Sequence, residues 1–275
     1  MVAKYGLPYA PPLTFLSIRY LLSLLCFLVW IALAHVSWPK GRQQWLHLAV
    51  SGVLIHAGYL GGVWVAIKAG MGSGLAALIV GLQPVLTALW VSSMASGAGG
   101  EKVTQRQWLG LALGLGGLVL VVSRKFGDTQ EVTAFTLAAI TIALLSITAG
   151  TLYQKRYAAP ADVRGANAVQ IAAAFAVTLP LALFETGAVT WTPQFMGALA
   201  WSVLVLTLGG SSLLYLLIQR GAATAVTSLL YLVPPCTALM AWLMFAEPIT
   251  AITVLGTAIT AIGVSLVVRA AKPAQ

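Results

Sequence analysis

The 275 residues are 60% hydrophobic and only 8% charged, with a mean hydropathy of +0.94. Water-soluble domains carry about a quarter charged residues, so this composition excludes an ordinary soluble fold and asks instead where the membrane spans lie. The net charge of +9 comes from Lys and Arg standing singly or in pairs between apolar runs. That pattern excludes the long basic stripe of a nucleic-acid binder and suits loops that orient a membrane protein.

The chain opens on Met1 to Pro12, with Lys4, three prolines and no apolar stretch of the signal-peptide kind. A helix needs about 20 apolar residues to cross a bilayer. Nine runs are candidates: 13–35, 45–68, 75–96, 108–123, 134–154, 166–185, 195–219, 223–245 and 249–269. They are joined by turn sequences such as Trp38-Pro39-Lys40-Gly41, Gly70-Met71-Gly72-Ser73-Gly74 and Ser96-Gly97-Ala98-Gly99-Gly100. The apolar runs are continuous rather than alternating, which excludes a β-barrel, and no loop is long enough for a soluble domain. Cys26 and Cys236 fall inside these runs without metal-ligand spacing and read as packing residues.

Basic residues set the orientation. With the C-terminus inside, the inner loops collect Lys40, Arg42, Lys102, Arg106, Lys155, Arg156, Arg164, Arg220, Arg269 and Lys272. The outer side receives Lys4, Lys68, Arg124 and Lys125, and Arg19 lies within a span. Nine spans then place the N-terminus outside.

The chain resembles itself. Leu82-Gln83-Pro84-Val85-Leu86-Thr87-Ala88-Leu89 matches Leu232-Val233-Pro234-Pro235-Cys236-Thr237-Ala238-Leu239 at an offset of 150, and Glu101, Gly110 and Gly117 match Glu247, Gly256 and Gly263 at 146. Lys4 falls where Lys155 stands. The second half, 128–275, therefore holds five spans, whereas the first, 1–127, holds four preceded by a stub that aligns with the end of the span at 134–154. A first helix of about 20 residues is expected to be missing, with a nine-span protein as the alternative. An odd number of helices per repeat gives the halves opposite orientation, so the expected fold is an all-α polytopic membrane protein of two inverted five-helix repeats, the ten-helix type with nine helices visible.

Lys4-Tyr5-Gly6-Leu7-Pro8, followed by Pro12 and Arg19, resembles the end of helix one and the start of helix two in the EamA-type family of the drug/metabolite transporter superfamily. The Leu-Gln-Pro-Val and Leu-Val-Pro-Pro segments, each followed by an acidic turn and a glycine-bearing helix, resemble that family's repeated pattern. The resemblance implies ten helices around a central cavity and transport of amino acids or similar metabolites, often export.

Polar groups at mid-span depth are the site candidates, because they are costly in hydrocarbon. The six carboxylates, Glu101, Asp128, Glu131, Asp162, Glu185 and Glu247, all stand in loops or at helix ends. His56 is central in its span: it could shuttle a proton or bind a substrate carboxylate, or be a neutral ring satisfied by a neighbouring helix. Tyr59 shares its face at helical spacing, and Trp64, about two turns beyond, is either a cavity wall or an interfacial anchor. Arg19 could hold a substrate carboxylate, or snorkel to the interface. Pro84 and the Pro234-Pro235 pair interrupt corresponding helices, which points to a binding site with Gln83 and Tyr231 as contacts, or to packing kinks. Thr141, Thr148 and Thr151 more simply bond their own helix backbone, and Gln170 and Tyr215 are isolated candidates. Gly110, Gly114, Gly256 and Thr260 read as close helix packing.

The expected function is a secondary carrier of small organic metabolites in the cell (inner) membrane, working by alternating access on a small-molecule substrate, with a proton as the candidate coupling ion. No nucleotide-binding glycine-lysine loop is present, and no cofactor or metal is expected. The competing readings are a membrane-embedded lipid-modifying enzyme, against which stands the lack of two Asp, Glu or His side chains on one helix face, and a non-transporting membrane subunit.

Overall fold

The computed structural model describes residues 2–34, 36, 38–83, 85–87, 90, 105–125, 132–159, 161–213, 236, 239–240, 242–244 and 250–270. Every regular element among these is helical: α1 (Val2–Gly6), α2 (Pro12–Leu33), α3 (Arg42–Lys68), α4 (Ser73–Val80), α5 (Gln105–Lys125), α6 (Ala134–Tyr157), α7 (Val163–Ala182), α8 (Pro193–Ser211) and α9 (Ala251–Ala270). Five of them, α2, α3, α6, α7 and α8, are long and apolar enough to cross a membrane, and shorter apolar stretches occupy Ser73–Thr87, Trp108–Val121 and Val254–Gly263. The run at 223–245 lies mostly outside the described residues, and that at 75–96 does so in part. Helix α3 begins at Arg42 rather than at 45. Its first turn, Arg42-Gln43-Gln44, is polar, so hydropathy gives no signal there.

Local chemistry sets the helix starts. Pro12 at the first helical position of α2 has a fitting φ but brings no side-chain cap of its own. The cap comes from far along the chain: the Glu185 carboxylate accepts the Leu13 N–H (2.9 Å), the Thr14 N–H (2.7 Å) and the Thr14 hydroxyl (2.8 Å). Thr133 and Thr136 form a reciprocal capping box at α6, and Thr192 caps α8 ahead of Pro193. The turns at Gly41 and Gly70 have φ of +88° and +108°, a region open to glycine and strained for other residues.

Asp162 caps α7 through the Arg164 N–H at 2.9 Å and receives the Arg164 side chain at 3.0 and 2.9 Å. That guanidinium holds the Asp162 carboxyl below its usual pKa. A depressed acid stabilises the fold above its ordinary pKa, and the benefit is lost as pH falls through the lowered value. Asp162→Ala should therefore cost about 1 kcal/mol at neutral pH, mostly from the cap because the ion pair is solvent-screened, with a smaller deficit in strong acid. Melting curves at the two pH values check this.

Small residues let the helices touch backbone to backbone, as membrane helices do where no hydrophobic force separates protein from lipid. Helix α3 is held this way on both sides. A Cβ at Gly52 would run into the backbone of Gln170 on α7; one at Gly58 would lie 2.7 Å from the Ser146 hydroxyl, and one at Gly62 2.6 Å from the Ala139 carbonyl, both on α6. Helices α5 and α9 cross through glycines as the sequence pattern suggested: Gly117 meets Gly256, and Gly110 and Gly114 meet Gly263. Thr260 donates to the Gly114 carbonyl at 3.3 Å. The pairs 110 with 263 and 117 with 256 run in opposite senses, so the two helices are antiparallel.

An aromatic core joins α2, α3 and α8: Phe15 stacks on Trp64 at 4.4 Å and meets Phe195 edge-on at 5.4 Å. A second core sits around Met71, Leu75, Leu78, Ile140 and Leu144. Leu25, Val29 and Leu33 on α2 point outward, as does Phe135 on α6, forming an apolar exterior suited to lipid.

Candidate functional site

Two helices change register at mid-length. Within α3, Val53–Leu60 is a π-helix, and within α8, Ser202–Ser211 is another. A π-helix closes its hydrogen bonds between residues i and i+5, so side chains five apart come close to one line; short π segments recur at functional sites. In α3 that spacing aligns Ser51, His56 and Gly61; in α8 it aligns Ser202, Thr207 and Ser212. All six are buried. The two triplets are 151 positions apart, the same separation as Lys4 and Lys155, so the register changes fall at corresponding places in the two halves of the sequence.

The two lines meet polar groups from α2 and α7. Arg19, 7% exposed, donates through Nε (3.1 Å) and Nη2 (3.0 Å) to the Thr207 hydroxyl, which in turn donates to the Ser202 carbonyl at 2.9 Å. The next residue, Tyr20, donates its hydroxyl to the His56 carbonyl at 2.8 Å and sets its ring edge-on to the imidazole. On α7, Gln170 donates to the Ser51 hydroxyl at 3.0 Å and to the Gln154 side-chain oxygen of α6 at 3.2 Å. The result is a buried polar centre in which Arg19 lies within electrostatic reach of His56 and Tyr59.

Arg19 and His56 are thus brought into one centre, with half-buried Tyr59 at its edge. The α-helical spacing that places Tyr59 on the face of His56 does not hold inside a π-helix; the association is electrostatic and tertiary instead. Arg19 does not snorkel, because its guanidinium is bonded inward. Trp64, 4% exposed, packs in the aromatic core and not at the interface. Gln83 donates to Thr151 on α6 at 3.3 Å. Thr148 and Thr151 bond their own helix backbone, at 2.7 and 2.8 Å. Pro84, Tyr231, Pro234, Pro235 and Tyr215 lie outside the described residues. The sequence reading missed Tyr20, Ser51 and Thr207, and it left Gln170 isolated. A polar period of five, rather than 3.6, was the signal that could have found Ser51 and Thr207.

At the Pro12 end of α2, an open cleft of about 410 Å³ lies among Tyr9, Pro12, Lys68, Phe184 and Glu185. At the other end of α3, His47 shares a 2.8 Å hydrogen bond with the Tyr153 hydroxyl and stacks on Tyr157. No cluster of three metal-ligating side chains occurs among the described residues.

Apolar helices around a buried polar centre define a polytopic helical membrane protein. The model of the EamA-like transporter family matches residues 1–123 and again 134–269, and the chain belongs to that family. It is 28% identical over 205 residues to "Uncharacterized inner membrane transporter YedA" of Escherichia coli K12, covering 74% of this chain and 64% of the relative's length. An "Uncharacterized transporter" of Archaeoglobus fulgidus is 26% identical over 283 residues, covering 96% of this chain and 90% of that one. A crystal structure aligns over 98% of this chain and 92% of its own, with a TM-score of 0.69 at 17% identity, a likeness of fold alone.

Proposed function

We propose that the protein is a secondary carrier in the inner membrane, exporting amino acids or related small metabolites by alternating access between two inverted repeats. The observation that carries this reading is the pair of π-helices at corresponding places in the two halves, each presenting buried polar side chains to one centre. Interrupted helices in corresponding positions are what a carrier uses to expose polar groups to a solute at mid-depth.

The packing supports the inverted arrangement. Helices α2 and α7 correspond in the repeat, as do α3 with α8 and α5 with α9. Contacts of α3 with α7 are mirrored by contacts of α2 with α8, and corresponding helices touch each other in the α2–α7 and α5–α9 pairs. Such an exchange of partners is what a two-fold relation produces. The antiparallel crossing of α5 and α9 turns that relation over.

His56, Arg19, Tyr59 and Gln83 are the proposed solute contacts, with Trp64 backing them, and Pro84, Tyr231 and Pro234 completing the set from the sequence pattern. The reading is tested by expressing the chain in cells and measuring efflux across a panel of metabolites, together with growth in excess of each. Substrate-dependent efflux supports it; absence of flux for every compound sinks it. If His56 carries the coupling proton, His56→Gln should flatten the dependence of transport rate on pH. An unchanged pH profile would leave His56 as a packing residue.

A further inference from the structure

We infer that Arg19 and the hydroxyl line of α8 form the seat for one anionic group of the solute, and that this group is a carboxylate. The inference rests on the carrier reading for the identity of the anion, but its physical basis is separate. A buried guanidinium is tolerated when paired and hydrogen-bonded. Here, among the described residues, it meets one acceptor, the Thr207 hydroxyl, at 3.1 and 3.0 Å. The described carboxylates are both committed elsewhere: Asp162 to Arg164 and the start of α7, Glu185 to the start of α2.

The surroundings carry the second observation. Ser202 and Ser212, five residues on either side of Thr207, are buried, and their hydroxyls meet no hydrogen-bond partner among the described residues. Ser23, one turn from Arg19 on the same face of α2, is fully buried and equally unpartnered. Buried hydroxyls left without partners are rare in native proteins and mark places where water or a ligand completes the bonding. One fixed cation flanked by neutral hydroxyl donors suits a monoanion such as a carboxylate, which a planar guanidinium grips with two parallel bonds. The π register is what aligns the hydroxyl line: in an α-helix, residues five apart would point to different sides.

The seat can be tested with and without the solute. In the full chain in detergent, Thr207→Asp supplies a carboxylate of the protein's own beside Arg19. It should raise the melting temperature when Arg19 is present and lower it in an Arg19→Met background. Equal destabilisation in both backgrounds would show that Arg19 has no need of an anion and would overturn the assignment. In proteoliposomes taking up a radiolabelled mixture of L-amino acids, the free acids should compete at least tenfold better than the corresponding amides, and Arg19→Gln should abolish that preference. Equal competition by acids and amides would also overturn it. If the unaltered chain takes up nothing, the carrier reading falls, and the melting temperatures alone decide whether the seat exists.

Discussion

Gly52→Ala is expected to be among the most damaging single substitutions in this protein, costing about 2 kcal/mol through overpacking. The added methyl would collide with the carbonyl oxygen and Cα of Gln170, and backbone atoms cannot rotate aside as a side-chain tip can. Separation of α3 from α7 would also break the Ser51–Gln170 bond inside the polar centre, so transport should fall along with stability. Gly116→Ala and Gly197→Ala are the controls. No atom lies within 4 Å of a Cβ at either place, and the helix gains from a better helix former, by about 0.5–1 kcal/mol. Melting temperatures and transport rates of the three variants would show whether loss tracks the α3–α7 contact. A Gly52→Ala protein as stable as the controls would mean that the two helices are not held this close.

The second large effect is expected at Glu185. Its carboxylate is an acceptor for three donors at the start of α2, and hydrogen bonds to a charged group are worth about 1.5–3 kcal/mol each where burial is substantial. Glu185→Gln keeps the size but turns one oxygen into an amide donor facing other donors. A loss of about 2 kcal/mol is expected, near the lower end because the site is only partly buried. Thr14→Val, which removes one of the three donors, should cost less than half as much. Since this cap ties the connection after α7 to the entrance of α2 beside the open cleft, Glu185→Gln should also speed hydrogen exchange in the first turn of α2. Unchanged exchange there would show that the helix start does not depend on the carboxylate.

Much of the membrane architecture was legible because hydropathy is a local quantity. Each of the runs that became α2, α3, α6, α7 and α8 announces itself within about 20 residues, and the glycines of α5 and α9 announce close packing by their spacing. Helix ends were less legible where polar residues continue a helix beyond its apolar stretch, as Arg42-Gln43-Gln44 do at the start of α3. The similarity of the segments that begin at Leu82 and Leu232 was likewise visible, since internal similarity needs no coordinates.

The polar centre was legible only in part. Arg19 and His56 stand out because a charge or an imidazole in an apolar run is conspicuous by itself. Thr207 and Ser51 do not, because a hydroxyl is ordinary in a membrane helix. Gln170 looked solitary because its partners Ser51 and Gln154 sit on other helices, and Trp64 looked like an interfacial anchor because its stacking partner Phe15 comes from another helix.

By itself, then, the sequence determined that this is a multi-spanning helical membrane protein, because apolar length is a property of the chain alone. Only the tertiary structure decided that α3 and α8 change to π register at corresponding places, and that Arg19 turns inward to Thr207 rather than outward to the interface. The physical reason is that hydrogen-bond register and the burial of a charge depend on what neighbouring helices offer. Those neighbours are brought in by glycines such as Gly52, whose function appears only when the opposing backbone is in place.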